Sequence, residues 1–204
     1  VATTKNEEDD QIENICKKIN IKCFRGSSTD VTDRYFRVGK KYNAENIIRI
    51  TADCPLIDPI IIDQVVKDFF LKKADYATNT MPPTYPDGLD VEIFSFSALK
   101  KAWKASRKIK RLREHVTTYI RENNNLKKIN LFYKKDFSFL RLTLDEKIDL
   151  EVINYVLSKY SKNYLFKFED IIKLYKYNKK FFEKNLNINR NEGTYLSTGQ
   201  KVWK

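Results

Sequence analysis

Two periods of apolar residues alternate along this chain. Residues 1–4 read as the end of a strand. Ile12, Ile15, Cys16 and Ile19 then recur along one helical face, which predicts an amphipathic helix over 7–19. Residues 21–24 form a short strand pattern, and Gly26-Ser27-Ser28-Thr29-Asp30 is a loop closing on a helix N-cap, with helix expected over 31–41. The run 46–51 is a near-continuous β-branched stretch of the kind that buried parallel strands show. Asp58-Pro59 opens a helix predicted over 59–72, with Ile60, Ile61, Val65, Val66, Phe69 and Phe70 facing inward. Strand–helix alternation of this kind argues for a parallel sheet with helices on both faces.

The middle of the chain changes character. Strands are expected over 76–80 and 91–94, flanking a loop over 81–90 that holds prolines and a glycine. Long excursions of that sort in α/β proteins commonly cover a site. Beyond it the pattern predicts a helix over 97–106 opened by Ser95 or Ser97, a helix over 113–121, strands over 127–133 and 140–143, and a helix over 146–160. A last helical region, 166–185, carries Phe168, Tyr175, Phe181 and Phe182 toward the core. There is no internal repeat. From Asn187 onward the periodicity fades, so 1–185 is expected as the domain and 186–204 as a linker.

Composition narrows the function classes. The 204 residues, 42% of them hydrophobic, suffice for one core plus a tail. No apolar run approaches the roughly 18 residues of a membrane helix, and no signal or transit pattern is present, so a soluble protein is expected. Cys16, Cys23 and Cys54 form no CxxC pair and His115 is the sole histidine, which leaves no zinc set; Cys16 and Cys23 read as small core residues, and a reducing cytoplasm fits. The net charge of +12 invites a nucleic-acid reading. The positive residues are spread, however, through 100–113 and singly over 127–184, without an arginine-rich arm or helix-turn-helix pattern. A basic pocket for an anionic small molecule fits that charge at least as well.

Candidate chemistry centres on NIIRITADCPLIDP, residues 46–59. The apolar run stops at Asp53, at what would be the carboxyl end of a strand, where open α/β sheets bind ligands. A carboxylate there suits a hard cation such as Mg²⁺; it would equally serve to terminate the strand or cap a turn.

Four segments, RITADCPLIDP (49–59), TYPDGLDVEIFS (84–95), REHVTTYIREN (113–123) and RLTLDEKIDLEVI (141–153), resemble one family in order, joined by VATTKNEEDD (1–10) and CFRGSSTDVTDRYFR (23–37). The family is the cytidylyltransferases of the spore coat polysaccharide biosynthesis protein F type, relatives of the acylneuraminate and 3-deoxy-manno-octulosonate cytidylyltransferases. The resemblance implies the Rossmann-like nucleotide-diphospho-sugar transferase (GT-A-like) fold, a three-layer α/β sandwich with a mostly parallel sheet. It also implies that the chain as written begins at the family's second strand, lacks the first strand and the nucleotide-binding loop, and is inactive in that form. Ala52 stands where relatives usually carry glycine.

By the same resemblance, Asp53 and Asp145 would hold Mg²⁺, although Asp145 also suits a helix N-cap. Gly26, Ser27, Asp33, Arg34 and Ala52 would lie at the nucleotide, Asp87, Gly88 and Asp90 at the sugar, and Arg113, Glu114 and His115 at the chemistry. The expected activity is transfer of CMP from CTP to a nonulosonic-acid-like or related sugar for surface polysaccharide. Expected partners are CTP and a sugar acceptor, with no nucleic acid and no membrane; a homodimer is left open. STGQKVWK (197–204) resembles the lead-in to a pyridoxal-phosphate-dependent aminotransferase domain, fused or partnering. The competing readings are a non-catalytic scaffold tethering such an aminotransferase, a nucleotidyltransferase of another base, a glycosyltransferase, and a nucleic-acid binder.

Overall fold

The computed structural model describes residues 1–160, 165 and 167–190. The resemblance of 197–204 to an aminotransferase lead-in lies outside the described residues, as does most of the expected linker. The chain divides into two compact units, each built from two stretches: 1–47 with 94–127, and 48–93 with 128–204.

In the first unit, β1 (Ala2–Thr4) pairs in parallel with β2 (Phe24–Gly26), Ala2 opposite Phe24. A 3₁₀ turn (Glu7–Asp9) leads into α1 (Asp10–Lys18), shorter than the expected 7–19. Cys16 is buried, whereas Ile15 and Ile19 stay exposed. The expected strand over 21–24 is displaced toward the C-terminus. Ile21 N–H closes the exit of α1 by donating to the Cys16 carbonyl at 2.8 Å, so pairing with β1 starts only at Phe24.

α2 (Val31–Lys41) forms where expected, capped by the Asp30 carboxylate, which accepts from Asp33 N–H at 2.8 Å. Ser95, rather than Ser97, caps α4 (Phe96–Ser106) by accepting from Ala98 N–H. α4 packs on α2 through stacked rings of Phe96, Phe36 and Trp103. Gly39 makes that approach feasible, since a Cβ there would meet the Phe96 ring at 2.8 Å.

The helix expected over 113–121 is reduced to α5 (Thr118–Glu122), preceded by a 3₁₀ turn at Lys110–Leu112. The cause is visible in the backbone. The carbonyl of Arg113 accepts from Thr32 N–H at 2.9 Å, and that of Leu112 from Thr32 Oγ1 at 2.7 Å. These bonds draw the 112–113 backbone toward α2, away from the direction of a helical ladder.

The other sheet runs in the order β3 (Asn46–Arg49), β5 (Glu92–Ser95), β4 (Tyr76–Thr78), β6 (Lys128–Asn130); β4 and β6 are parallel. In the second unit, α3 (Pro59–Leu71) starts at Asp58, as the sequence predicts. One Asp58 oxygen accepts from Ile60 N–H and the other from the N–H of Phe168, which opens α7 (Phe168–Tyr177), both at 2.7 Å. Ile61, Val65 and Phe69 face the core, but Ile60 and Phe70, also expected inside, are exposed. Asp63, Gln64, Lys67 and Asp68 share one face of α3; Ile60 falls on that face and Phe70 borders it, so the apolar count overstated the buried stripe.

α6 (Lys147–Ser158) packs Val152, Ile153 and Val156 inward. α7, α8 (Lys179–Phe182) and a 3₁₀ turn at Glu183–Asn185 replace the continuous helical region expected over 166–185. Tyr85, Tyr133, Phe137 and Phe168 form a connected aromatic group in this core. Residues 140–143, expected as a strand, make a single parallel bridge, Arg141 opposite Asp87. The remaining bonds of that segment go to loops, and those loops carry the candidate site. No described helix is long and apolar enough to cross a membrane.

Candidate active site

β3 ends at Arg49, and the chain then turns: Cys54 N–H donates to the Thr51 carbonyl. Ala52 is exposed in this turn and Asp53 half-buried. The Asp53 carbonyl accepts from Leu144 N–H at 2.8 Å and from Thr143 Oγ1 at 3.3 Å, so the segments carrying Asp53 and Asp145 are locked together. The Asp53 carboxylate receives only a weak contact from Cys54 Sγ, 3.4 Å from its Oδ1. Burial pushes the Cys54 thiol well up, which leaves it a neutral neighbour rather than a thiolate nucleophile.

Asp145 immediately precedes α6, where the sequence also allows it to cap the helix. It does not. Glu146 is the N-cap and forms a capping box with Asp149, whose Oδ2 accepts from the N–H groups of Asp145 (3.1 Å) and Glu146 (2.9 Å). The Asp145 carboxylate is thereby released for other work. Its Oδ2 accepts from Arg141 Nη2 at 2.7 Å, while its Oδ1 accepts no hydrogen bond among the described residues. Its side chain is 49% exposed.

A third carboxylate belongs to the same field. The 85–90 loop is clipped to residues 140–142 by Asp87 N–H to the Leu140 carbonyl and Leu142 N–H to the Asp87 carbonyl. Gly88, at φ +94°, lies against the Leu142–Thr143 backbone, where a Cβ would come within 2.4 Å of the Leu142 carbonyl carbon. Burial raises the Asp87 carboxyl; Arg190 and Arg141 oppose that, and the charges of Asp145 and Asp53 reinforce it. Asp90 is paired with Arg190, which also donates to the Tyr85 carbonyl at 3.0 Å. Burial lifts the Asp90 carboxyl to about 7 even so.

The expected sugar-side residues Asp87, Gly88 and Asp90 therefore share one unit with Asp53 and Asp145. Among the described residues, no group of three or more His, Cys, Asp or Glu is arranged to hold a metal. Asp53 and Asp145 are two hard oxygen donors with uncommitted atoms, the donor type that Mg²⁺ prefers.

The remaining predicted residues lie in the first unit. Ser27 Oγ accepts from Asp30 N–H, and Arg34 Nη1 donates to the Ser27 carbonyl, both at 3.0 Å. Arg34 passes so close to Gly26 that a Cβ there would lie 2.8 Å from its Cγ. Arg34 Nε is buried without a hydrogen-bond partner. Asp33 is committed within the fold: its two oxygens accept from Trp103 Nε1 at 2.8 Å and Arg37 Nε at 2.5 Å. Arg113 Nε donates to the Ser106 carbonyl at 3.2 Å and lies 3.9 Å from the Asp30 carboxylate, which joins it to the Gly26–Arg34 region. Glu114 is exposed and His115 half-buried.

Sequence reasoning missed Arg141, Asp149 and Arg190. The four-residue spacing of Arg141, Asp145 and Asp149 was the available signal for the first two; nothing local points to Arg190.

Comparison with known proteins gives this arrangement its relatives. Residues 1–190 match the family model described as cytidylyltransferase. The chain is 41% identical over 150 residues to an uncharacterized protein of Methanocaldococcus jannaschii, a match covering 71% of this chain and 59% of that protein. It is 32% identical over 163 residues to the spore coat polysaccharide biosynthesis protein SpsF of Bacillus subtilis, covering 78% of this chain and 66% of that one. The chain thus spans less than two thirds of either relative. The structure of a cytidylyltransferase from Leptospira borgpetersenii superposes with a TM-score of 0.83 at 32% identity, over 98% of this chain and 79% of that one, which establishes the Rossmann-like α/β nucleotidyltransferase fold. The chain belongs to the cytidylyltransferase family of nucleotidyltransferases.

Proposed function

We propose that this chain carries the catalytic carboxylates of a Mg²⁺-dependent cytidylyltransferase that transfers CMP from CTP to a sugar used in surface polysaccharide. The observation that best supports this reading is the hydrogen bond from Leu144 N–H to the Asp53 carbonyl, which fastens together two segments that each bear an acid with an uncommitted oxygen. Asp53 and Asp145 would hold Mg²⁺, which when bound neutralises charge on the α-phosphate as the acceptor oxygen attacks and pyrophosphate departs.

The chain's other groups have separate tasks in this reading. Arg34, with its unpartnered Nε, and the Gly26–Ser27 backbone would receive the nucleotide. Asp87 would accept hydrogen bonds from sugar hydroxyls. Arg113, Glu114 and His115 belong to the first unit, and their expected part in the chemistry rests on the family resemblance alone. Similarity to a spore coat polysaccharide protein supports a surface-sugar acceptor.

The test is nucleotide choice. With the family's first strand and nucleotide-binding loop supplied, calorimetric titration with CTP, UTP and GTP in Mg²⁺ should give heat with CTP above the others, and pyrophosphate release should require CTP, Mg²⁺ and a sugar together. Turnover with UTP and none with CTP would overturn the assignment.

A further inference from the structure

We propose that Arg141 is a positioning residue for the candidate cation site, setting which oxygen Asp145 presents. The inference rests on the assignment of Asp53 and Asp145 as the cation-holding pair and adds to it the device that orients one member.

Arg141 is a nearly buried guanidinium, with a side chain 6% exposed, serving three carboxylates at once. Nε and Nη2 form a two-pronged pair with Asp149, each bond 2.9 Å long. Nη2 also donates to Asp145 Oδ2 at 2.7 Å, and Nη1 to Asp87 Oδ2 at 3.3 Å. Only a planar fork with donors on three nitrogens can do this, and a lysine ammonium in its place would reach fewer partners in less fixed directions.

The fork is itself held. The Asp149 side chain is fully buried, and it accepts from two backbone N–H groups at the start of α6 and from Asn185 Nδ2 at 2.9 Å. Asn185 Nδ2 also donates to the Arg141 carbonyl at 3.1 Å. A rigid pair thus grips a single oxygen of a half-exposed acid and leaves the other oxygen uncommitted. Were Arg141 there simply to neutralise Asp149, the bond to the more exposed Asp145 would be unnecessary. Contacts of this outer kind around a metal ligand typically change affinity by about 10- to 100-fold when removed.

The experiment uses Mn²⁺ as a probe of the site on the whole chain, followed by electron paramagnetic resonance, with thermal melting recorded for every variant. Wild type should bind Mn²⁺, and Asp53→Asn should lose that binding. Arg141→Lys should stay folded yet bind Mn²⁺ about 10-fold or more weakly. Asp149→Asn, which keeps the shape but releases the fork, should shift affinity in the same direction and decides the matter by the same criterion if Arg141→Lys does not fold. Wild-type affinity in a folded Arg141→Lys overturns the positioning role alone. Absence of Mn²⁺ binding in wild type, or its indifference to Asp53→Asn, overturns the carboxylate pair and the positioning role with it.

Discussion

The amide of Leu144 donates to the carbonyl oxygen of Asp53 at 2.8 Å, and this bond gives two acids remote in sequence a common frame. If both hold one cation, their effects on binding must not add. Asp53→Asn and Asp145→Asn are each expected to abolish measurable Mn²⁺ binding, with the double variant no worse than either. Residues acting as a unit couple in this way, whereas independent sites give additive free-energy losses. Retention of a substantial fraction of binding in either single variant would count against a shared site.

Gly88 supplies a sharper structural prediction. Its φ of +94° is costly for any residue with a Cβ, and the added methyl would meet the Leu142–Thr143 backbone, which cannot swing aside as a side chain can. Gly88→Ala is therefore expected to destabilise the fold by about 2–4 kcal/mol. Because the same backbone leads to Asp145, Mn²⁺ affinity should fall even where the variant remains folded. Urea unfolding and Mn²⁺ titration of the same sample check both; unchanged stability would show that the loop can move away from residues 142–143.

Where the sequence was legible, a local signal agreed with the tertiary outcome. Asp30 and Asp58 announce helix starts because an N-cap needs only its own neighbours, and both caps are present. The strand expected over 140–143 fails for the opposite reason: an apolar run interrupted by Arg141 looks like a pleat with one solvated face, yet that side chain is buried among acids from other segments. Likewise the helix expected over 113–121 gives up its first part beside Thr32, a partner that no window around Arg113 contains, and keeps only Thr118–Glu122. The candidate site divides in the same manner. Asp53 marks itself by stopping an apolar run. That Glu146 and Asp149 together cap α6 and free Asp145 depends on a choice between adjacent acids, Asp145 and Glu146, both compatible with the spacing.

Asp58 is expected to be among the more sensitive positions outside the site. It is buried at 2% exposure and joins the starts of α3 and α7, accepting from Ile60 N–H and Phe168 N–H. Asp58→Ala removes a cap and strands the buried amide of Phe168, together about 2–4 kcal/mol. Asp58→Asn should recover only part of this, because an amide can still accept from Ile60 but turns a donor toward Phe168 N–H. Denaturant midpoints that rank wild type above Asn above Ala support the double-cap role; equal midpoints for Asp and Asn would contradict it.

The Asp90 carboxyl predicts a pH dependence whose sign is opposite to that of an ordinary paired acid. Burial raises it to about 7, against the opposing charge of Arg190, while an unfolded Asp titrates near 3.8. Between those two values the folded chain holds a proton that the unfolded chain has released. This group therefore makes stability fall as pH rises through the window from about 4 to 7, with a slope approaching −1.4 kcal/mol per pH unit, and its penalty is complete above 7. Asp90→Asn should flatten that part of the stability–pH profile. Arg190→Gln should steepen its upper end, since removing the guanidinium pushes the carboxyl higher still. Urea unfolding of the three proteins between pH 4.5 and 8 measures the slopes directly. A wild-type slope equal to that of Asp90→Asn would mean that the Arg190 pair keeps Asp90 ionised throughout, and that its buried charge is fully compensated.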